Sequence, residues 1–532
     1  RHSCWTALPI SISMDWKTLR QKREQFRLKN DHKYLPEVSL VASKESTAMF
    51  NVAWMQQLVP YLAGKTHPVW KRLFNIQKCV RTNDINSVWD ASHLTFFEMM
   101  WNRSLWDYFK KEAVKYSYDF LVNELGFDPK KLAVTVFEWD ENAPRDNETA
   151  EYRLQAWIPA DKISYLWADD NRRSPGPVWP CGPDTEIFYY TWEWLPPLES
   201  NVKDDEDNWM EIWNNVFMQF YRDESWTLTK LPHQNVDTWM WYERMCRVLQ
   251  NKPTIFETDN FQPILDTISK YTWLQYVWNE RRFRIIADHL RTAGLLLNDW
   301  VIQSNVWAGY VLRMIIRRMY YNLMLLKDIP NDELKLMLLE IVTFVSNNTR
   351  PLKIEDVVKS LMDEILTFKN TISRGLKVLD EKLKNLSWNS LDWKDVFFLY
   401  DTCGFPVELT REICLEKNIS IDEEWFKKEL ENQKERSRSC AKFQKDIDWS
   451  KYLEWIPQTK FIWYKEESSG DCKLLKDFEV NGQRILIFDQ TPFYAESGWQ
   501  KWDSWNITLD SWETLYIKDV QKYEWVFLHF VG

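Results

Sequence analysis

Asn215–Arg222, NVFMQFYR, alternates in the manner of a strand with one buried face, and Leu132–Glu138, LAVTVFE, does the same. Both lie between Met14 and about residue 260, where short strands mix with helices. Lys17–Leu28 reads there as a basic amphipathic helix, and Asp204–Asp207 as an acidic, solvated loop. From about 261 the period changes. Ile354, Val357, Leu361, Ile365, Phe368, Ile372, Leu376, Leu379, Leu383 and Leu386 recur at helical spacing with Lys and Glu between them, which predicts one long amphipathic helix packed in a bundle. Glu423–Arg438 is a charged helical stretch closing this region. Short strands return after about 446, at Arg484–Phe488 (RILIF) and Trp525–Val531 (WVFLHFV). The expected class is α+β, divided into 14–260, 261–445 and 446–532. A β-domain only beginning at residue 532 implies a fragment.

The composition is that of a folded chain. Of 532 residues, 45% are hydrophobic and 27% charged, with a net charge of −10. Disordered, collagen-like and disulfide-scaffold classes are excluded. Eight Cys never approach a C-x-x-C spacing and read as reduced thiols of a cytoplasmic protein. The seven His include neither H-x-x-x-H nor H-E-x-x-H, so no metal site is expected within the chain. No apolar run is long enough to cross a bilayer; Leu336–Val345 is interrupted by Glu340 and is expected to be a buried helix. Residues 1–13 precede Met14, lack an apolar signal core, and read as a non-native leader.

Glycine and tryptophan depart from the norm. The chain holds 33 Trp and 12 Gly, where ordinary usage would supply roughly 37 Gly. Many of the Trp sit in polar turn sequences, as in Asp299-Trp300, Ser387-Trp388-Asn389-Ser390 and Asp392-Trp393-Lys394. Turns of this kind call for glycine, which alone adopts positive φ without steric cost.

Three groups of segments carry the chemistry: Asn75–Arg81 (NIQKCVR) with His93–Phe109 (HLTFFEMMWNRSLWDYF); Trp179–Tyr189 (WPCGPDTEIFY) with Glu211–Arg222 (EIWNNVFMQFYR); and Asn235–Arg244 (NVDTWMWYER). Together they resemble the alanyl-tRNA synthetases, a family of class II aminoacyl-tRNA synthetases. The similarity continues through Arg284–His289, Trp300–Leu312, Leu399–Thr410 and Asp489–Gln500, in the same order along the chain. The resemblance implies an antiparallel sheet flanked by helices, then an α-helical tRNA-binding domain, then the start of a β-barrel domain. It implies ATP, Mg²⁺, L-alanine and tRNA(Ala) as cofactors and partners, with zinc confined to an editing region this chain lacks. The fragment is expected to be monomeric and to have no membrane partner.

The resemblance also assigns roles. Activating an amino acid brings a carboxylate against the α-phosphate of ATP and expels pyrophosphate, so cationic groups must neutralise and align two anions. Arg81 would hold the α-phosphate and the substrate carboxylate, and Arg244 the terminal phosphate. His93, Ile212 and Trp241 complete the expected ATP contacts. Asp237 matches the residue that pairs with the alanine ammonium group, and Asn214 one that positions alanine. Asn305 and Asp401 match residues that read a G·U pair in the tRNA acceptor stem. Arg313, Arg317 and Arg318 fall on one helical turn and read as a basic RNA-facing patch, needed because the net charge gives no global attraction to RNA.

This chain departs from the family pattern in three places. Leu94 stands where a His is common, Arg172-Arg173 where a Trp walls the pocket, and the loop Thr82–Val88 is short. The family has Gly where this chain has Trp54, Trp70, Trp89, Trp101, Trp106, Trp157, Trp179, Trp239, Trp241, Trp300, Trp307, Trp388, Trp393, Trp499, Trp502 and Trp525. The expectation is that a UGA codon meaning glycine has been rendered as tryptophan; UGG codons at 239 and 241 would overturn it. If the Trp residues are real, the alternative is a non-catalytic RNA-binding paralogue with a closed ATP pocket.

Overall fold

A nine-stranded sheet is built from β1 (Lys33–Tyr34), β2 (Arg72–Val80), β3 (Phe96–Leu105), β4 (Leu132–Phe137), β5 (Ile163–Leu166), β6 (Arg172–Arg173), β7 (Trp179–Tyr190), β8 (Trp209–Arg222) and β9 (Leu228–Trp241). Its order is β1-β2-β3-β9-β8-β7-β4-β5, with β6 paired on β7. The five neighbouring pairs from β2 to β4 run antiparallel; the outer pairs β1–β2 and β4–β5 are parallel. The computed structural model describes residues 14–42, 49–52, 58–62, 64–139, 144–167, 171–173, 179–223, 227–304, 307–384, 386, 390–401, 405–421, 452–453, 456–461, 472–480, 483–491, 505–508, 513–523 and 526–532. The chain divides into two units, residues 1–365 and 366–532.

β8 corrects the half-buried expectation. It lies between β7 and β9, and most of its length is buried on both faces. One face packs with α1 (Trp16–Lys29) through Leu19, Phe26, Trp213 and Met240; the other holds Leu73, Trp101, Val216 and Met218. The polar residues that made it look half exposed are satisfied inside. Asn215, for example, donates to Ser117 Oγ at 3.1 Å. β4 is likewise buried at every position, so alternation in these strands marks internal polar partners and not a wet face.

α1 begins at Asp15, whose carboxylate accepts from the Thr18 N–H at 2.7 Å. It is the helix expected over Lys17–Leu28, but two of its basic residues turn inward. Arg23 and Arg27 are completely buried. The Arg23 guanidinium lies 5.2 Å from the ring centres of Phe120 and Trp213 and donates to Asn102 Oδ1 at 2.7 Å. Arg27 lies 5.7 Å from Trp213, and none of its guanidinium nitrogens has a hydrogen-bond partner among the described residues.

The helices Glu280–Asn298, Trp307–Leu326 and Asn331–Asn348 follow. The last contains Leu336–Val345 and is amphipathic, not buried. Leu336 and Leu339 are exposed, and Glu340 pairs with Lys270 at 2.6 Å and accepts from the Tyr271 hydroxyl. The long helix expected from the heptad-like run is observed as Ile354–Lys384, with Val357, Leu361, Ile365, Phe368, Ile372 and Leu379 buried. Glu423–Arg438 lies outside the described residues. No described helix is long and apolar enough to cross a membrane.

In the second unit, Leu474–Val480, Gln483–Phe488, Val526–Val531, Thr514–Tyr523 and Trp505–Thr508 form, in that order, a five-stranded antiparallel sheet. His529 is buried within it. Its Nδ1 lies 3.2 Å from the Leu486 carbonyl and its Nε2 2.8 Å from Thr491 Oγ1.

Among the described residues, nine non-glycine residues have left-handed backbone: Asp31, Asn251 and Asn418, and six tryptophans, Trp106, Trp157, Trp273, Trp278, Trp300 and Trp307. Five of the described helices end at a non-glycine residue in one hydrogen-bond frame, in which the left-handed residue donates three residues back and its successor five. The left-handed residue is Asp31, Trp157, Asn251, Trp300 or Asn418; for Trp157 the bonds are Trp157 N–H to Leu154 O at 3.0 Å and Ile158 N–H to Arg153 O at 3.1 Å. This is the frame that glycine, and less often asparagine, supports at helix C-termini.

Candidate active site

The strand registers gather the sequence-derived residues on one face of the sheet. β9 sets Asp237 opposite Arg103 and Trp239 opposite Trp101 on β3, while on β8 Trp239 faces Asn214. Alternation then places Asp237, Trp239 and Trp241 on the same side. Arg81 follows β2 directly, with Cys79 registered on Phe97 of β3. Arg244 lies in the first turn of the helix Tyr242–Leu249, which continues β9 without a loop.

At one end the rings and cations form a layered slot. The indole of Trp241 lies 4.0 Å from the Phe97 ring at an angle of 34°. The Arg244 guanidinium sits 4.3 Å from the centre of the Trp241 ring, and Arg81 lies 5.1 Å from that centre and 5.0 Å from Phe97. Arg244 Nη1 donates to the Glu211 carbonyl at 2.9 Å and to Glu211 Oε2 at 3.3 Å. Burial pulls the Arg244 guanidinium below its ordinary range, partly offset by Glu211. Glu211 Oε1 is buried with no hydrogen-bond partner among the described residues. His93 Nδ1 donates to Asp90 Oδ2, and Asp90 Oδ1 accepts from the N–H groups of Ser92 and His93 at 2.8 Å each. Burial works to raise the Asp90 carboxyl, but these bonds outweigh it and leave it below its ordinary value. Ile212 is fully buried, in the cluster with Trp213, Met240 and Tyr242.

The other end, about 13 Å along β9, is anionic. Asp237 Oδ1 accepts from Arg103 Nε at 2.6 Å, with both side chains buried. Asn214 is fully buried, and its Nδ2 donates to Asp184 Oδ2 at 2.7 Å and Glu186 Oε1 at 2.8 Å. These acids come from β7, which bulges between Cys181 and Asp184. The bulge brings β7 so near β8 that a Cβ on Gly182 would stand 1.9 Å from the Phe217 carbonyl oxygen, so this glycine is a steric requirement. β6, the Arg172-Arg173 pair, is registered on Pro183 and Gly182.

Behind the sheet, Glu98 is buried among Arg20, Arg291 and Lys78. Burial would raise its carboxyl, but those cations hold it below its ordinary value. The neighbouring Glu243 is pushed up by burial although Arg291 donates to it at 2.7 Å.

The structure thus brings Arg81, Asn214, Asp237, Trp241 and Arg244 onto one surface, with His93 on the loop beyond Arg81. The three arginines of the expected basic patch all have protein partners. Arg313 and Arg317 both donate to Glu364, at 3.2 and 2.8 Å, and Arg318 turns inward to the Ile85 carbonyl at 2.8 Å. Arg313 and Arg317 thus share one carboxylate and stay partly exposed, while Arg318 is buried. Asn305 and the side chain of Asp401 lie outside what is described. Phe97, Arg103 and Glu211 were not anticipated. All three sat in quoted motifs, but nothing in the sequence paired Arg103 with Asp237, 134 residues away. Among the described residues no group of three His, Cys, Asp or Glu gathers as a metal-binding cluster.

A family model of tRNA synthetases class II (A) matches residues 18–532, and the chain belongs to that class. Its relatives are more specific. It is 35% identical to the alanine–tRNA ligase of Hydrogenovibrio crunogenus over 96% of this chain and 60% of that one. It is 39% identical to the enzyme of Borrelia hermsii and 40% to that of Treponema denticola, each over 79% of this chain and 72% of the relative. Within class II, the chain is a member of the alanine–tRNA ligase family. It spans 60% of the length of the first of these relatives.

Proposed function

We propose that the chain activates L-alanine with ATP and passes the alanyl group to the 3′-terminal adenosine of tRNA(Ala). The observation that carries this reading is the layered slot: a flat bicyclic ring between Phe97 and Arg244, with a second arginine, Arg81, at its edge. An indole and a purine are close in size and shape, so the slot suits adenine once the side chain of Trp241 is absent. Arg81 would then meet the α-phosphate and the alanine carboxylate, Arg244 the terminal phosphate, and His93 and Ile212 would border the nucleotide. Guanidinium groups suit this work because they stay charged and bond phosphate oxygens in pairs.

Asp237 would take the alanine ammonium group, and Asn214, clamped by two acids, would orient the substrate. Glu211 fits Mg²⁺, since its buried unpartnered oxygen suits a cation that takes one or two protein carboxylates and fills its sphere with phosphate and water. The ion would neutralise phosphate charge. In this reading segments 14–260, 261–445 and 446–532 divide the labour between activation, tRNA recognition and a further β-domain. Asn305, Asp401, Arg313 and Arg317 would face tRNA, and the fragment would act as a cytoplasmic monomer.

Alanine-dependent ATP–pyrophosphate exchange tests the reading in a chain carrying Trp239→Gly and Trp241→Gly. Exchange is expected there, is lost with Arg81→Ala or Asp237→Ala, and is spared by Asn305→Ala, which lowers only tRNA charging. No exchange in the doubly substituted chain defeats the proposal.

A further inference from the structure

The loop from Thr82 to Thr95 joins β2 to β3, runs from Arg81 past His93, and is held by residues of two helices outside the sheet. Arg284 Nη1 donates to the carbonyls of Trp89 at 2.9 Å and Asp90 at 3.2 Å, while its Nε donates to the Tyr276 hydroxyl at 2.8 Å. The Thr95 N–H donates to Asp288 Oδ1 at 2.9 Å, and Arg318 donates to the Ile85 carbonyl. Asp288 and Arg318 are themselves joined through His289, whose Nδ1 lies 2.8 Å from Asp288 Oδ2 and whose Nε2 lies 3.0 Å from Arg318 Nη1. With Nε2 facing a guanidinium that can only donate, the imidazole is the Nδ1–H tautomer.

Three of the loop's anchored groups are backbone carbonyls and one is a backbone N–H, so the anchoring does not depend on the loop's own side chains. Each bond involves a charged partner, the stronger kind, and Asp288, His289 and Arg318 are buried. The Arg284 bond to the Asp90 carbonyl acts on the residue that orients His93. Resting on the reading of the site as an adenylate-forming centre, we propose that Arg284, Asp288 and Arg318 are positioning residues that set the height of the 82–95 loop over the ATP phosphates.

The test uses the chain with glycine at 239 and 241, to which Arg284→Ala or Asp288→Asn is added. Two quantities are read: amide hydrogen exchange across 82–95, and KM for ATP and for alanine in pyrophosphate exchange. Expected are roughly ten-fold faster amide exchange in the loop and a roughly ten-fold higher KM for ATP with that for alanine unchanged; Arg284→Lys restores part of both. Unchanged loop protection overturns the proposal, as does an equal rise in both KM values. A parent without exchange activity sinks the functional reading alone, because loop protection still judges whether these residues hold the loop.

A separate observation concerns residue identity. Trp157, Trp273, Trp278, Trp300 and Trp307 combine left-handed backbone with exposures of 79, 82, 90, 75 and 73%. A bulky side chain at positive φ costs about 1–2 kcal/mol, and indoles standing in water bury little to offset it. Two of these positions, 273 and 278, lie outside every motif. We infer that the working protein carries glycine at 273 and 278 as well as at 106, 157, 300 and 307, and keeps tryptophan at 209 and 213, which are buried in β8 with no need of positive φ. Peptide mass spectrometry of the protein from the cells that carry its gene decides the matter. Glycine at 273 and 278 beside tryptophan at 213 is the expected result; tryptophan at 273 and 278 overturns it.

Discussion

The ring centres of Trp241 and Phe97 lie 4.0 Å apart, and in the proposed site the indole fills the volume that a nucleobase would need. Replacing Trp239 and Trp241 by glycine is expected to lower the thermal midpoint in buffer, since emptying a buried aromatic site costs about 3 kcal/mol or more. Added ATP should recover much of that loss, because a ligand that binds only the folded state stabilises it. Calorimetric scans with and without ATP make the comparison; an ATP effect of equal size in the parent chain would contradict it.

Asp237 and Arg103 form a buried pair, so removing one partner strands the other. Arg103→Leu is expected to destabilise the fold by about 3 kcal/mol, and Arg103→Leu combined with Asp237→Asn to recover most of it. Urea denaturation of the four chains of this cycle measures the coupling, and additive effects would show the two residues to be independent.

Arg27 presents the opposite case, a buried cation without a counter-charge. Burial pulls its guanidinium down to about 10, with Tyr108 and Tyr116 partly offsetting it. Arg27→Leu is expected to raise stability by about 2 kcal/mol, because the side chain no longer has to be desolvated while charged. A lower denaturation midpoint in this variant would mean that the stacking on Trp213 outweighs desolvation.

His529 makes the second unit acid-sensitive. Burial lowers its imidazole to about 4 from an ordinary 6.5, against a smaller opposing effect of the Leu486 carbonyl. Below pH 6.5 the unfolded chain takes up a proton that the folded chain refuses, so its contribution is complete above that pH and fades as pH falls towards about 4. Midpoints recorded from pH 8 to 4 should decline with a steepness that His529→Gln reduces; identical profiles would exclude the histidine as the cause.

Motif order made the site legible in the sequence, because Arg81, Asp237 and Arg244 sit in segments whose residue types suit their work. The 3.6-residue period likewise located the helix Ile354–Lys384. Burial was harder to read. Asn215 made β8 look half wet, yet its partner, Ser117, comes from a helix 98 residues away, and one-dimensional alternation carries no trace of such partners. The partners of the arginines at 313, 317 and 318 were hidden for the same reason. Their spacing fixes a helical face, while Glu364 and the Ile85 carbonyl, which accept from those side chains, are supplied by elements far away in the chain.

The repeated frame at five helix ends has a use as an internal standard. Asp31, Asn251 and Asn418 show what a tolerated residue looks like there, and Trp157 and Trp300 occupy the same geometry. The strain of an indole at this position is therefore measurable in both directions within one molecule, by Asn251→Trp and by Trp157→Gly. Equal and opposite shifts would turn a question about the genetic code into a calibrated reading of backbone energy.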